Sequence, residues 1–202
     1  MEKDNYHHGD LKNALINAGI EILSQEGLQG LSLRSAAQRA GVSHSAPYSH
    51  FKDKQALIAA ISTKGLDLLY KKLSQIAVQY QENPLEQLHE VAWGYTEFAL
   101  ENTGLFRLIF SSAIEHEHDY PDFVTISHRT FNWIVTVVEN NQRAGVLKPG
   151  QARLIALTIW SMVHGFIFLH LEKQIPSNIA RDYQLKSLLR TVLKNFVDIN
   201  AQ

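Results

Sequence analysis

Cysteine is absent from the 202 residues, which removes disulfides, thiol redox sensing, cysteine nucleophiles and cysteine-based zinc sites together. The polar start from Met1 to Leu11 lacks the basic and then apolar pattern of a secretory signal, so a cytoplasmic location is expected. Alternating runs of β-branched and aromatic residues with turn dipeptides between them are missing, which argues against a sheet. Nucleophile elbows, phosphate-cradling glycine loops and paired-histidine zinc motifs are missing as well. Ser49-His50-Phe51-Lys52 fits a Ser-x-x-Lys pattern but stands without its companion motifs. The expectation is a chain that is not an enzyme, with no catalytic residue, no metal and no cofactor.

One further absence is local. From Leu154 to Leu171 there is no Asp, Glu, Lys or Arg, a length near the roughly 18 residues at which a membrane span becomes a candidate. Thr158, Ser161, His164 and His170 interrupt the run and no second such run exists, so no membrane partner is expected. A helix apolar all round is instead expected where one face meets its own core and another meets a partner subunit.

What is present is helical patterning throughout, and the fold class expected is all-α. The first helix is predicted from Asp10 to Gln25, with Leu11, Leu15, Ala18, Ile22 and Leu23 on one stripe and Gly27 as a left-handed cap. Ser32 caps a short helix from Leu33 to Ala40, and Gly41 stops it. After Gly41-Val42-Ser43 a second short helix is predicted from Ser45 to Phe51, with Pro47 tolerated in its first turn. Asp53 then caps a long helix from Lys54 to about Tyr80. Beyond Asn83-Pro84, helices are predicted over Pro84 to Glu101, Gly104 to Ser112, Pro121 to Ala144, Gln151 to Lys173 and Ile179 to Ile199.

A short helix, tight turn and second short helix allow the second to enter a major groove about 12 Å wide while the first rests on the backbone. From spacing alone, the same pattern is equally a plain helical corner. His44, Ser45, Ala46, Tyr48, Ser49 and His50 supply the small or polar side chains that a reader needs. Residues 1–55 carry six basic and six acidic side chains, yet from Leu31 to Gln55 Arg34, Arg39, Lys52 and Lys54 face only Asp53, a local positive excess suited to phosphates. No Lys or Arg lies between His44 and Phe51, so base readout would lean on His, Ser and DNA shape.

Leu31-Ser32-Leu33-Arg34, Ala36-Ala37, Ala40-Gly41-Val42-Ser43, Tyr48, His50-Phe51 and Lys54 to Leu57 together resemble the DNA-binding domain of TetR/AcrR regulators, a likeness covering roughly residues 10–58. The resemblance implies a helix-turn-helix domain over residues 1–55 and a helical effector-binding and dimerisation domain over 56–202. It implies a reading helix lined by His44, Ser45, Ala46, Tyr48 and His50, phosphate contacts from Tyr48 and Lys54, and a base or phosphate contact from Arg34. Phe51 resembles the family's buried aromatic anchor. Tyr6-His7-His8-Gly9-Asp10-Leu11 resembles the start of one branch, where it is either an arm on DNA or a frayed tail. The implied function is a ligand-responsive regulator of double-stranded operator DNA, with release of a repressor by a small molecule as the family's usual sign; a constitutive DNA- or partner-binding protein is the alternative.

In the second half, Ile155, Ile159, Val163 and Ile167 form one line on the predicted helix 151–173, and Ala156, Trp160, His164, Phe168 and Leu171 the next. With Leu185, Leu189, Val192, Phe196 and Ile199 on the last helix, they ask for a four-helix bundle built by a homodimer. Trp160-Ser161-Met162-Val163-His164-Gly165 resembles a Trp-x-x-x-His-Gly signature of one branch; Gly165 is expected to permit close helix packing. Trp93, Phe106, Phe110, Phe131, Trp160 and His164 are the candidate ligand contacts, with Phe98, Trp133, His89, Tyr95 and Asn132 as further candidates, although ordinary core packing is expected to explain most of these aromatics. The lack of charge there suggests a neutral or apolar effector. Glu115-His116-Glu117-His118-Asp119 carries metal-ligand types, but beside Pro121 it reads as a solvated loop.

Overall fold

The computed structural model describes residues 8–196, and among these the regular structure is helical. Its helices are α1 (His8–Gly30), α2 (Leu33–Arg39), α3 (Lys54–Gln79), α4 (Pro84–Glu101), α5 (Thr103–Ile109), α6 (Pro121–Arg143), α7 (Ala152–Leu171), α8 (Ser177–Asp182) and α9 (Leu185–Leu193). The chain forms two compact units: one holds the residues up to Leu68 with Asn102–Ser127, the other Leu69–Glu101 with the residues from His128 onward. The helices α3 and α6 each contribute to both.

In the first unit, Leu15, Ile22, Leu31, Ala36, Leu57, Ile61 and Phe106 are almost wholly buried. α1 runs past its predicted end to Gly30, through a kink at Gly27 with φ 69°. The left-handed residue is where the sequence places it, but a further helical turn follows it. Ser32 begins α2 with a reciprocal cap: its hydroxyl accepts from the Ser35 amide at 3.0 Å, and the Ser35 hydroxyl accepts from the Ser32 amide at 2.9 Å. Gly41, at φ 70°, supplies the left-handed turn that ends the helix. The predicted helix from Ser45 to Phe51 is instead a single 3₁₀ turn, Ala46–Ser49. Pro47 in its first turn has no amide hydrogen, and the amides of Tyr48 and His50 reach back only three residues, to the carbonyls of Ser45 and Pro47.

The second unit packs α4, α6, α7 and α9 around Leu73, Leu88, Phe98, Val138, Ile159, Ile167 and Leu189. The single last helix expected over 179–199 is broken into α8 and α9 at Tyr183, which is extended at φ −133° and ψ 137°. α8 buries no side chain, whereas α9 buries Leu189 and Leu193. Only the stretch with apolar residues at helical spacing has a core to fold onto. Ile199, at the far end of that prediction, lies outside the described residues, as do Tyr6 and His7 of the expected arm. α7 meets the length and hydropathy of a membrane span. Its Ala156, Ile159, Val163, Phe166 and Ile167 are buried in the unit.

Candidate functional site

The turn after α2 is held from beneath by two buried residues, Pro47 and Phe51, the latter 2% exposed. Everything pointing the other way is polar or small. His44, Ser45 and Ser49 are exposed, Tyr48 is 64% exposed and Ala46 is half-buried. Ser49 turns its hydroxyl back to the Ala46 carbonyl at 2.8 Å, and the Ser43 and Ser45 hydroxyls lie 3.1 Å apart. His50 is half-buried, its ring edge-on to Phe51 at 6.4 Å. It lines a cleft of about 170 Å³ with Lys12, Tyr120 and Phe123, so it stands apart from the exposed row.

The four basic side chains of this region differ in what they touch. Arg39 donates to Glu26 at 2.9 Å and lies 3.8 Å from Glu21, so its charge is offset within the unit. The Lys52 ammonium sits over the Tyr120 ring at 5.6 Å. Lys54 is exposed with its amine 3.5 Å from the Leu28 carbonyl, and Arg34 is exposed. Asp53 caps α3 by accepting from the Ala56 amide at 2.8 Å, which brings α3 off the reading turn directly.

The second unit carries a partly open cavity of about 50 Å³ among α3, α4, α6 and α7, lined by Leu73, Leu88, Val91, Val138, Ile159 and Trp160 among others. On its wall the Trp160 indole N–H donates to the Tyr95 oxygen at 3.0 Å, and the Tyr95 oxygen lies 2.8 Å from His164 Nδ1. Burial holds the Tyr95 hydroxyl well above its usual pKa and pushes the His164 imidazole below its own.

Of the aromatic residues proposed as ligand contacts, Trp160 lines this cavity and His164 bonds to it through Tyr95. Trp93 lies elsewhere, 5.6 Å beneath the Lys186 ammonium, and Phe131 stacks between Trp160 and the Arg153 guanidinium. Phe106 and Phe110 belong to the first unit and pack on each other at 4.9 Å. Trp133 meets the Tyr70 ring edge, and Asn132 is exposed. His89 accepts from Arg190 at 3.1 Å, beside the Arg190–Glu86 ion pair. The lining residues that sequence reasoning missed are aliphatic, such as Val91, Ile134 and Val137. Their one signal was helical spacing, which they share with every core position. Glu115 to Asp119 are exposed, and no group of three metal-ligating side chains occurs among the described residues.

The sequence pattern described as bacterial regulatory proteins of the tetR family matches residues 15–61, and the one described as the tetracyclin repressor-like C-terminal domain matches residues 88–192.

The chain belongs to the TetR family.

An uncharacterised helix-turn-helix transcriptional regulator, YobS of Bacillus subtilis, is 26% identical over 98 residues, 48% of this chain and 50% of that protein. The class C tetracycline repressor of Escherichia coli is 41% identical over 51 residues, 25% of this chain and 23% of that protein. The matched stretches therefore span half or less of these curated relatives. A solved Rhodococcus sp. RHA1 protein of unknown function superposes with a TM-score of 0.78 at 28% identity, covering 96% of each chain. The regulatory protein TetR of Rhodobacter sphaeroides shares the fold, with a TM-score of 0.70 at 14% identity over 92% of this chain and 98% of that one.

Proposed function

We propose that this TetR-family regulator binds double-stranded operator DNA through Arg34, His44, Ser45, Ala46, Tyr48, Ser49, Lys52 and Lys54, with His50 bracing the turn, and is a repressor released by a small molecule. The role boundary falls near residue 55, with DNA reading before it and effector binding and dimerisation after it. The observation that carries this reading is the path of α3. That helix starts at the Asp53 cap behind the reading turn and ends by supplying Leu73 to the cavity wall. Filling the cavity would move α3 and alter the spacing of two readers that must meet major grooves about 34 Å apart. The Trp160, His164 and Gly165 signature supports the branch of the family that carries it.

Homodimerisation through α7 and α9 fits the exposed side of α7. Leu154, Leu157 and Leu169 are 57%, 45% and 45% exposed, and a Cβ on Gly165 would meet nothing within 4 Å. The close packing expected of Gly165 is thus not made within the described chain, and it suits a partner helix. DNA binding makes the cytoplasm the working location.

The small cavity favours one second reading. About 50 Å³ is well below the roughly 300 Å³ at which ligand pockets usually begin, as a constitutive DNA-binding protein would show. The test is a gel shift on a fragment selected from genomic DNA by the full-length protein. Tyr48→Ala with Lys54→Ala is expected to weaken binding about 100-fold or more with circular dichroism unchanged. Unchanged affinity in that variant would refute the reading face. Failure of every small-molecule fraction of a cell extract to release the fragment would favour the constitutive protein.

A further inference from the structure

The cavity of the second unit has a chemically one-sided wall. Besides Tyr95 and Trp160 its lining is aliphatic, and it includes no Asp, Glu, Lys, Arg, Asn or Gln. The two polar atoms on that wall are engaged with each other and with His164. An indole nitrogen only donates, so the Tyr95 oxygen accepts from Trp160, and its bond with His164 Nδ1 runs in the direction the imidazole tautomer sets. The chain of hydrogen bonds runs from Trp160 through Tyr95 to His164. A carboxylate or ammonium entering this space would shed its hydration with no counter-ion on the wall to meet it. A hydrocarbon chain would lose nothing on entry and gain contact with Leu73, Leu88, Val91 and Val138.

From this wall we propose that the effector is an uncharged, hydrocarbon-rich small molecule. The proposal rests on the ligand-responsive reading above and names the class of its ligand. The resting cavity of about 50 Å³ is smaller than such a molecule, so binding opens it by turning aliphatic rotamers aside. Ligand entry is then coupled to movement of the helices that carry them.

Three probes of equal chain length, decanol, decanoate and decylammonium, test this on the full-length protein at neutral pH. Affinity is read from the rise in melting temperature. Site is read from quenching of Trp160 by bromodecanol in a Trp93→Phe, Trp133→Phe chain, where Trp160 is the one tryptophan left. Decanol is expected to bind about tenfold or more tightly than either charged probe and bromodecanol to quench Trp160. Ala92→Leu, which adds carbon atoms to the lining, is expected to abolish both signals; Ala92→Val serves if that variant does not fold.

The proposal is overturned if a charged probe binds as tightly as decanol, if none of the three binds, or if folded Ala92 variants bind decanol unchanged. A charged probe that binds and releases operator DNA removes the uncharged class while the sensor reading stands. DNA that no probe and no extract fraction releases removes both.

Discussion

The two units put their polar groups to opposite uses. In the first, the candidate reading residues lie within one stretch, Arg34 to Lys54, and face solvent above a buried Pro47 and Phe51. In the second, the notable polar atoms face inward, and Tyr95 meets His164 across 69 residues of chain. A surface that must meet a highly charged partner is arranged by caps and turns, whose geometry is local. A cavity must be assembled from several helices at once, so its polar atoms are satisfied by residues far away in sequence. The first unit should therefore lose function by single exposed substitutions without losing stability. The second should lose stability whenever its inward chain is cut.

The largest effect that would break this contrast comes from below the reading turn. Phe51→Ala removes a ring that is 2% exposed and is expected to cost about 3–5 kcal/mol, with DNA binding and first-unit amide protection lost together. If DNA binding alone were lost, Phe51 would be a contact and not an anchor. Tyr95→Phe keeps the ring but strips Trp160 and His164 of a shared partner. An expected loss of about 1–3 kcal/mol is checked by the urea midpoint, with gel-shift affinity unchanged. Ser32→Ala removes one half of the reciprocal cap and should cost about 1 kcal/mol, read as a lower melting temperature of the first unit.

The smallest expected effect is a pH dependence belonging to the second unit. Burial holds both His164 and His89 below the ordinary histidine value of 6.5, and Lys194 adds to the lowering at His89. Below 6.5 the unfolded chain takes up protons that the folded chain refuses, so stability is full above that pH and is lost as pH falls through the folded values. Melting temperature should decline below about pH 6.5, and His164→Gln should flatten the decline. A decline of equal slope in that variant would assign it to other groups.

Much of the first unit was legible because its signals are local. Ser32, Gly41, Asp53 and Pro84 each mark a helix end where the structure has one. The reading helix is overestimated from the sequence because residue spacing cannot tell one 3₁₀ turn from a short α-helix. The lining of the cavity is less legible in the sequence. Aromatic side chains drew attention, yet Phe106 packs in the first unit and Trp93 lies under Lys186, because large rings fill whatever interior or stem is nearest. The charge excess near the turn was also overstated: Arg39 is paired with Glu26, thirteen residues earlier.

By itself the sequence determined that this chain is helical, that it turns sharply at Gly41, and that a run without Asp, Glu, Lys or Arg, Leu154 to Leu171, lies on a helix of the second half. Backbone sterics, caps and apolar periodicity act within a few residues, so they can be read in order along the chain. Only the tertiary structure decided that residues 102–127 pack with the start of the chain and that Trp160, Tyr95 and His164 join in one chain of hydrogen bonds. It alone showed which aliphatic residues leave a gap between them. Those outcomes depend on which helix faces meet, and many faces of similar hydrophobicity compete for each place.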